Sequence, residues 1–194
     1  MINKIIRNRL YIGSSFLLCV LTYLLNYCKS ISECALVFTI IAITVNVITY
    51  IWGKANSLQA VALAITVSFA LLMKLPYYIE GHLVNGLVFA SLSSLMVSLY
   101  CSTLAFQRLH SKFSFVLSNA LSLIIAGIID GILMDLFFAF NNNFGYARIL
   151  DILVKELSYK AFYGFISSAT IFAAFKILNN RNITNNNLKI NSKP

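Results

Sequence analysis

Six long apolar runs fill most of this chain, separated by short breaks of charged and turn residues, and no other feature restricts its fold as strongly. They cover residues 10–27, 35–52, 58–73, 83–106, 113–140 and 149–177. A membrane-crossing helix needs roughly 20 mostly apolar residues, so the runs predict six transmembrane helices. Lipid offers no partner to backbone N–H and C=O groups, and none of the runs alternates in polarity as a barrel strand would. The predicted fold class is an all-α membrane protein, a bundle of six transmembrane helices. Residues 1–178 form that domain, and 179–194 are expected to be a polar, disordered cytoplasmic tail rich in Asn.

Composition agrees with a lipid environment. Hydrophobic residues make up 59% of the 194, charged residues only 11%, and the mean hydropathy is +0.81, too apolar for the surface of a soluble domain. After six spans no room remains for a separate catalytic domain. The first run follows Lys4, Arg7 and Arg9 but is long for a signal-peptide core and lacks a small-x-small cleavage site, so it is expected to stay as helix one. Leu18 before Cys19 also argues against lipoprotein processing.

Orientation follows from the basic residues, which cytoplasmic loops retain in excess. One side of the alternating topology holds Lys4, Arg7, Arg9, Lys54, Arg108, Lys112, Lys176, Arg181, Lys189 and Lys193; the other holds Lys29, Lys74 and Arg148. The first side is therefore predicted to be cytoplasmic, with both termini inside and the protein multi-pass in the cell (inner) membrane. The net charge of +9 is thus read as topology. Its residues are not gathered on one polar element with interleaved aromatics, so no nucleic-acid partner is expected.

Cys19 and Cys101 lie within apolar runs, while Cys28 and Cys34 flank the first predicted outside loop, and no pair has zinc or iron–sulfur spacing. All four read as buried thiols, with a Cys28–Cys34 disulfide as the alternative. Enzyme signatures such as His-Glu-x-x-His or Gly-x-Ser-x-Gly are absent, and His82 and His110 fall in opposite loops, so no enzyme, metal or cofactor is predicted.

Ionisable groups inside a bilayer point to function by default. Helix five holds Asp130 and Asp135; helix six holds Asp151, Lys155, Glu156 and Lys160. At about 1.5 Å per residue, Asp130 and Lys160 both lie roughly 15 Å deep, near the midplane. The same arithmetic levels Asp135 with Lys155 and Glu156, and places Asn46 at the depth of Asp130 with Tyr50 one turn further in. Two pairings compete. Helices five and six can form rungs of opposite charge, or Asp151–Lys155 and Glu156–Lys160 can pair at i, i+4 within helix six. Small and polar residues recur every four positions at Ser114, Ser118, Ser122, Ala126 and Asp130, a stripe that suits close helix packing, as does Ser91, Ser94, Ser98 and Ser102 on helix four.

The segment Val45-Asn46-Val47-Ile48-Thr49-Tyr50-Ile51-Trp52-Gly53-Lys54 resembles the Thr-Asp-x-x-Thr-Glu-x-Tyr-Gly-Lys of the queuosine-precursor transporter (VUT) family. Phe106-Gln107-Arg108-Leu109 is similar to that family's Phe-x-Arg-Leu. The stretch from Ser122 to Asp130 with Phe138-Ala139-Phe140, and Ser158-Tyr159-Lys160, resemble its helix-five and helix-six motifs in the same order. Asn46 and Tyr50 stand where the family has Asp and Glu, and Ser102 where it has Asp. The resemblance implies a six-span transporter importing a 7-deazaguanine base, with Asp130, Lys160, Asn46 and Tyr50 binding the substrate and Trp52 or Tyr159 as further stacking candidates. The expected partners are a small-molecule substrate and the lipid bilayer, with a homodimer or an ATPase as further candidates. The alternative reading is a substrate-binding or scaffold membrane subunit of an ATP-driven importer.

Overall fold

The computed structural model describes the backbone of residues 2–28, 30–73, 78–79, 82–83, 86–140 and 145–191, with side chains from residue 7 to residue 173 outside residues 74–85. Six helices follow one another: α1 (Ile2–Leu25), α2 (Ile31–Trp52), α3 (Lys54–Leu72), α4 (Leu87–His110), α5 (Phe115–Phe140) and α6 (Tyr146–Asn191). Between α3 and α4 a two-stranded antiparallel ladder pairs β1 (Tyr78–Ile79) with β2 (His82–Leu83). The protein is an all-α bundle, as the apolar runs require.

Local chemistry sets the helix ends. Ser30 caps α2: Glu33 N–H donates to its hydroxyl at 3.2 Å, and Ser30 N–H donates to the Glu33 carboxylate at 3.3 Å. This reciprocal capping box satisfies two otherwise orphaned N–H groups. It starts α2 at Ile31, four residues ahead of the predicted run. Gly53, at φ 87°, breaks the chain between α2 and α3 within one residue, where a side chain would be strained. Gly86, at φ 80°, does the same before α4, so α4 begins after the predicted residue 83.

Helix α2 lies at the centre and touches all five other helices. Its Phe38, Ile41, Ala42, Val45 and Ile48 are 0–2% exposed, and they pack with Leu18 of α1, Ala60 and Ala64 of α3, Leu95 and Leu99 of α4, and Leu123 and Ala126 of α5. A helix apolar on every side belongs in such a position. The outward faces of the other helices carry Phe16, Leu63, Phe89, Ile124 and Phe165, all more than half exposed. Apolar residues outside as well as inside are what a lipid solvent demands.

Among the described residues, five helices are long and apolar enough to cross a membrane: Arg7–Leu25, Ile31–Trp52, Lys54–Leu72, Leu87–His110 and Phe115–Phe140. The sixth expected span lies in α6, whose side chains are described only as far as residue 173. The first half of α6 carries Arg148, Asp151, Lys155, Glu156 and Lys160, which interrupt its apolar character. Helix α6 runs to Asn191. Extending an existing helix adds one hydrogen bond per residue fixed and needs no new nucleus.

Candidate functional site

The small-residue stripe of α5 is buried over Ser118, Asn119, Ser122, Ala126, Gly127, Asp130 and Gly131. Because two of these lack side chains, α6 comes close. A Cβ on Gly127 would lie 3.4 Å from Cδ of Lys160, and one on Gly131 3.2 Å from a Leu153 methyl. Lys160 enters beside Gly127 and extends along α5 to Asp130, where its ammonium donates to Oδ2 at 2.7 Å. The other carboxylate oxygen, Oδ1, accepts from the Ser94 hydroxyl of α4 at 2.6 Å.

Lys160 has three N–H donors to satisfy. One serves Asp130; another serves Glu156, one turn back on α6. The ammonium also sits 4.2 Å from the centroid of the Phe38 ring on α2, a cation–π contact. Asp130 and Lys160 are 8% and 7% exposed, so ions from two helices are withdrawn from solvent together. Such burial is tolerated only when geometry and added hydrogen bonds offset desolvation. Four helices contribute here: α2 a ring, α4 a hydroxyl, α5 a carboxylate, and α6 an ammonium and a second carboxylate.

Both pairings read from the sequence are therefore present at Lys160, which bonds across to α5 and back along α6. Lys155 pairs within its own helix, 2.6 Å from Asp151, with both side chains more than half exposed. Asp135 gains no rung. Its two carboxylate oxygens are shielded from solvent and have no hydrogen-bond partner among the described residues. No group of His, Cys, Asp and Glu there is arranged to hold a metal ion.

Asn46 is fully buried, but in a different layer. Its amide nitrogen donates to Asn119 Oδ1 at 2.8 Å and to the Ser122 hydroxyl at 2.9 Å. Ser102 of α4 donates to the Ser122 carbonyl at 3.2 Å. Asn46, Asn119, Ser122 and Ser102 are all 0% exposed. Ser122 precedes Asp130 by two turns, so this layer lies about 12 Å along α5 from the carboxylate. The equal depth expected for Asn46 and Asp130 is thus corrected. The capping box starts α2 earlier, so Asn46 lies deeper, and Phe38 is the α2 residue level with Lys160. Two polar atoms of this layer, Asn46 Oδ1 and Asn119 Nδ2, have no hydrogen-bond partner among the described residues.

Tyr50 is not brought to either layer. It is 54% exposed, with His110 and Phe115 edge-on at 5.1 and 5.2 Å, where α2, the end of α4 and the start of α5 meet. Four residues advance a helix about 40° past a full turn, and at this end Ile48 and Thr49 take the inward positions. Trp52 packs against Tyr11 at 5.7 Å, and Tyr159, 40% exposed, stacks on Tyr163 at 6.5 Å.

Asn119 and Phe38 were not among the sequence candidates. Asn119 carries a signal, an amide in an apolar helix three residues before Ser122; a Phe in an apolar run carries none. No family model, curated protein or solved structure matches the chain.

Proposed function

We propose that this integral membrane protein is a transporter importing a small polar, nucleobase-like solute such as a 7-deazaguanine queuosine precursor, with Asp130 and Lys160 at the centre of its site. The observation that carries the reading is the buried ion pair where four helices meet, between lipid-facing surfaces. An intramembrane carboxylate is retained where it has a task, or where it locks helices.

The geometry suits an exchange of partners. A guanine-like edge offers a ring N–H and an exocyclic amine side by side, and the two oxygens of one carboxylate accept such a pair together. Ser94 and Lys160 now hold those oxygens. When the solute replaces them, Lys160 is not stranded, because Glu156 is already bonded to its ammonium. Release of the solute restores the Asp130–Lys160 bond. At no stage is a buried charge left without a partner, which keeps the exchange from carrying the several kcal/mol that an unpaired buried ion costs. Asn46 and Asn119 lie further along α5 with an acceptor and a donor free, complementary to a lactam edge passing that level. Tyr50, at the bundle surface, has no part in this reading.

Asp130→Asn tests it. The amide keeps shape and hydrogen bonding, and Glu156 still neutralises Lys160, so membrane abundance is expected to stay normal while uptake of the precursor is largely lost. Asp135→Asn should act much more mildly. Unchanged uptake in Asp130→Asn would sink the assignment; a collapse of abundance would identify the pair as a helix lock instead.

A further inference from the structure

One end of the bundle gathers cations and no acid. It is built from the start of α1, the α2–α3 turn at Gly53 and the connection from α4 to α5, and printed contacts tie these parts together. Tyr11 of α1 packs on Trp52 of α2 at 5.7 Å, and its hydroxyl donates to the Asn56 carbonyl of α3 at 3.0 Å. Tyr50, near the end of α2, meets His110 of α4 and Phe115 of α5 at 5.1 and 5.2 Å. Arg7, Arg9, Lys54, Arg108 and Lys112 stand around this end. Among the described residues none of these five has an ion-pair partner, since the bridges present join Lys155 and Lys160 to acids elsewhere. Glu33, Asp130, Asp135, Asp151 and Glu156 all lie in the other half of the bundle.

An excess of basic residues alone signals orientation. The structure adds that no described acid answers it and that exposed apolar surface adjoins it. Leu10 and Ile12 follow Arg9, Ile51 precedes Lys54 across the Gly53 turn, and Phe113 and Leu117 follow Lys112; all five side chains are exposed. The Lys54 ammonium lies 5.7 Å from the ring centroid of Tyr100, itself exposed on α4, so a cation–π contact holds this charge at the lipid-facing rim. Like charges gathered at one end repel, and an external anion relieves that repulsion. A charged rim with apolar surface beside it matches a molecule that has both an anionic head and hydrocarbon chains. A soluble anion, a nucleic acid or an acidic protein would meet the cations and leave the apolar surface unmatched.

We propose that this end of the bundle binds anionic phospholipids of the adjoining leaflet, with Arg7, Arg9, Lys54, Arg108 and Lys112 on their phosphates and the neighbouring apolar side chains on their hydrocarbon. The inference rests on the segregation of charge and stands independently of the transport reading. A guanidinium fork takes two phosphate oxygens at once, which suits the three arginines, while the Lys54 ammonium acts as a point charge. Headgroups of net negative charge are selected over zwitterionic ones, because the choline ammonium of the latter cancels the attraction. Most of these cations are exposed, so the attraction weakens as salt rises. The opposite end offers Lys155 no such role, since Asp151 already pairs with it at 2.6 Å.

The test uses the full-length protein in nanodiscs of phosphatidylcholine, with and without phosphatidylglycerol. Lipids still bound after transfer to detergent are identified by native mass spectrometry, and lysines are acetylated in the discs and mapped. Phosphatidylglycerol should be retained roughly tenfold over phosphatidylcholine at low salt, and the preference should fade as salt is raised. Acetylation of Lys54 and Lys112 should slow when phosphatidylglycerol is present, while that of Lys155 should not change. The double variant Arg108→Gln with Lys112→Gln should lose much of the preference, and Arg108→Lys, which keeps the charge, should retain it. If the double variant fails to insert, the salt dependence and the labelling of the wild type decide the matter. Equal retention of the two lipids, a preference indifferent to salt, or unchanged labelling at Lys54 and Lys112 would overturn the proposal. Displacement of the lipid by soluble glycerol phosphate or by an oligonucleotide would overturn the choice of a lipid as occupant.

Discussion

At Asp130 each carboxylate oxygen accepts a hydrogen bond and the buried ammonium of Lys160 is shared by two acids, whereas two turns along α5 the buried amides of Asn46 and Asn119 leave one oxygen and one nitrogen over. Both layers hang on the same helix and face the same central α2. The difference lies in what each group forfeits on leaving water. An unpaired ion in a low-dielectric interior loses several kcal/mol, so ions draw in partners from every neighbouring helix. A neutral amide atom without a partner loses about 1–3 kcal/mol, which a bundle can sustain. The charged layer is thus the better satisfied and more sharply positioned of the two, and the neutral layer keeps unused hydrogen-bonding capacity.

Removing the ammonium should have the largest effect. Lys160→Ala leaves the buried Asp130 and the half-buried Glu156 near each other with no cation between them, and a loss of about 3–5 kcal/mol is expected, read as a much lower unfolding temperature in detergent. A variant that unfolded like the wild type would show that the charged layer is not an anchor. The neutral layer should respond less. Asn46→Ala strands Asn119 Oδ1 and should lose about 1–3 kcal/mol, while the double variant with Asn119→Ala should lose less than the sum of the two singles. Strict additivity would mean that the amide contact contributes nothing. The smallest effect is expected at the exposed Asp151–Lys155 pair, which tests whether charge alone matters. Asp151→Asn should change stability by about 0–1 kcal/mol, since a solvent-screened i, i+4 pair contributes little. A loss approaching that of Lys160→Ala would erase the distinction between buried and exposed ions on α6.

Much of this contrast was legible in the chain. Asp130 and Lys160 stand out because ionisable residues are rare in apolar runs, and a constant rise per residue puts them at one depth. The same arithmetic misplaced Asn46, since it counted from the apolar edge at residue 35 while the Ser30–Glu33 capping box starts the helix at Ile31. Tyr50 shows another limit. It follows Asn46 by one turn, yet the buried face has moved to Ile48 and Thr49 at that end. Glu156 and Lys160 pair within the helix as their spacing suggests, but spacing could not say that Lys160 would serve Asp130 as well.

The sequence by itself determined that the chain is a bundle of apolar helices and where most of them break, because helix length, hydropathy and caps are properties of consecutive residues. It also determined which ions lie deep. Tertiary structure alone decided that Ser94 and Phe38 complete the ion cluster, that Asn119 meets Asn46 and that Tyr50 faces outward. Each of these depends on how a helix is rotated about its axis and which neighbour packs against it. In runs that are apolar on every side, no amphipathic pattern fixes that rotation, so only the packing of small residues such as Gly127 and Gly131 against α6 could set it.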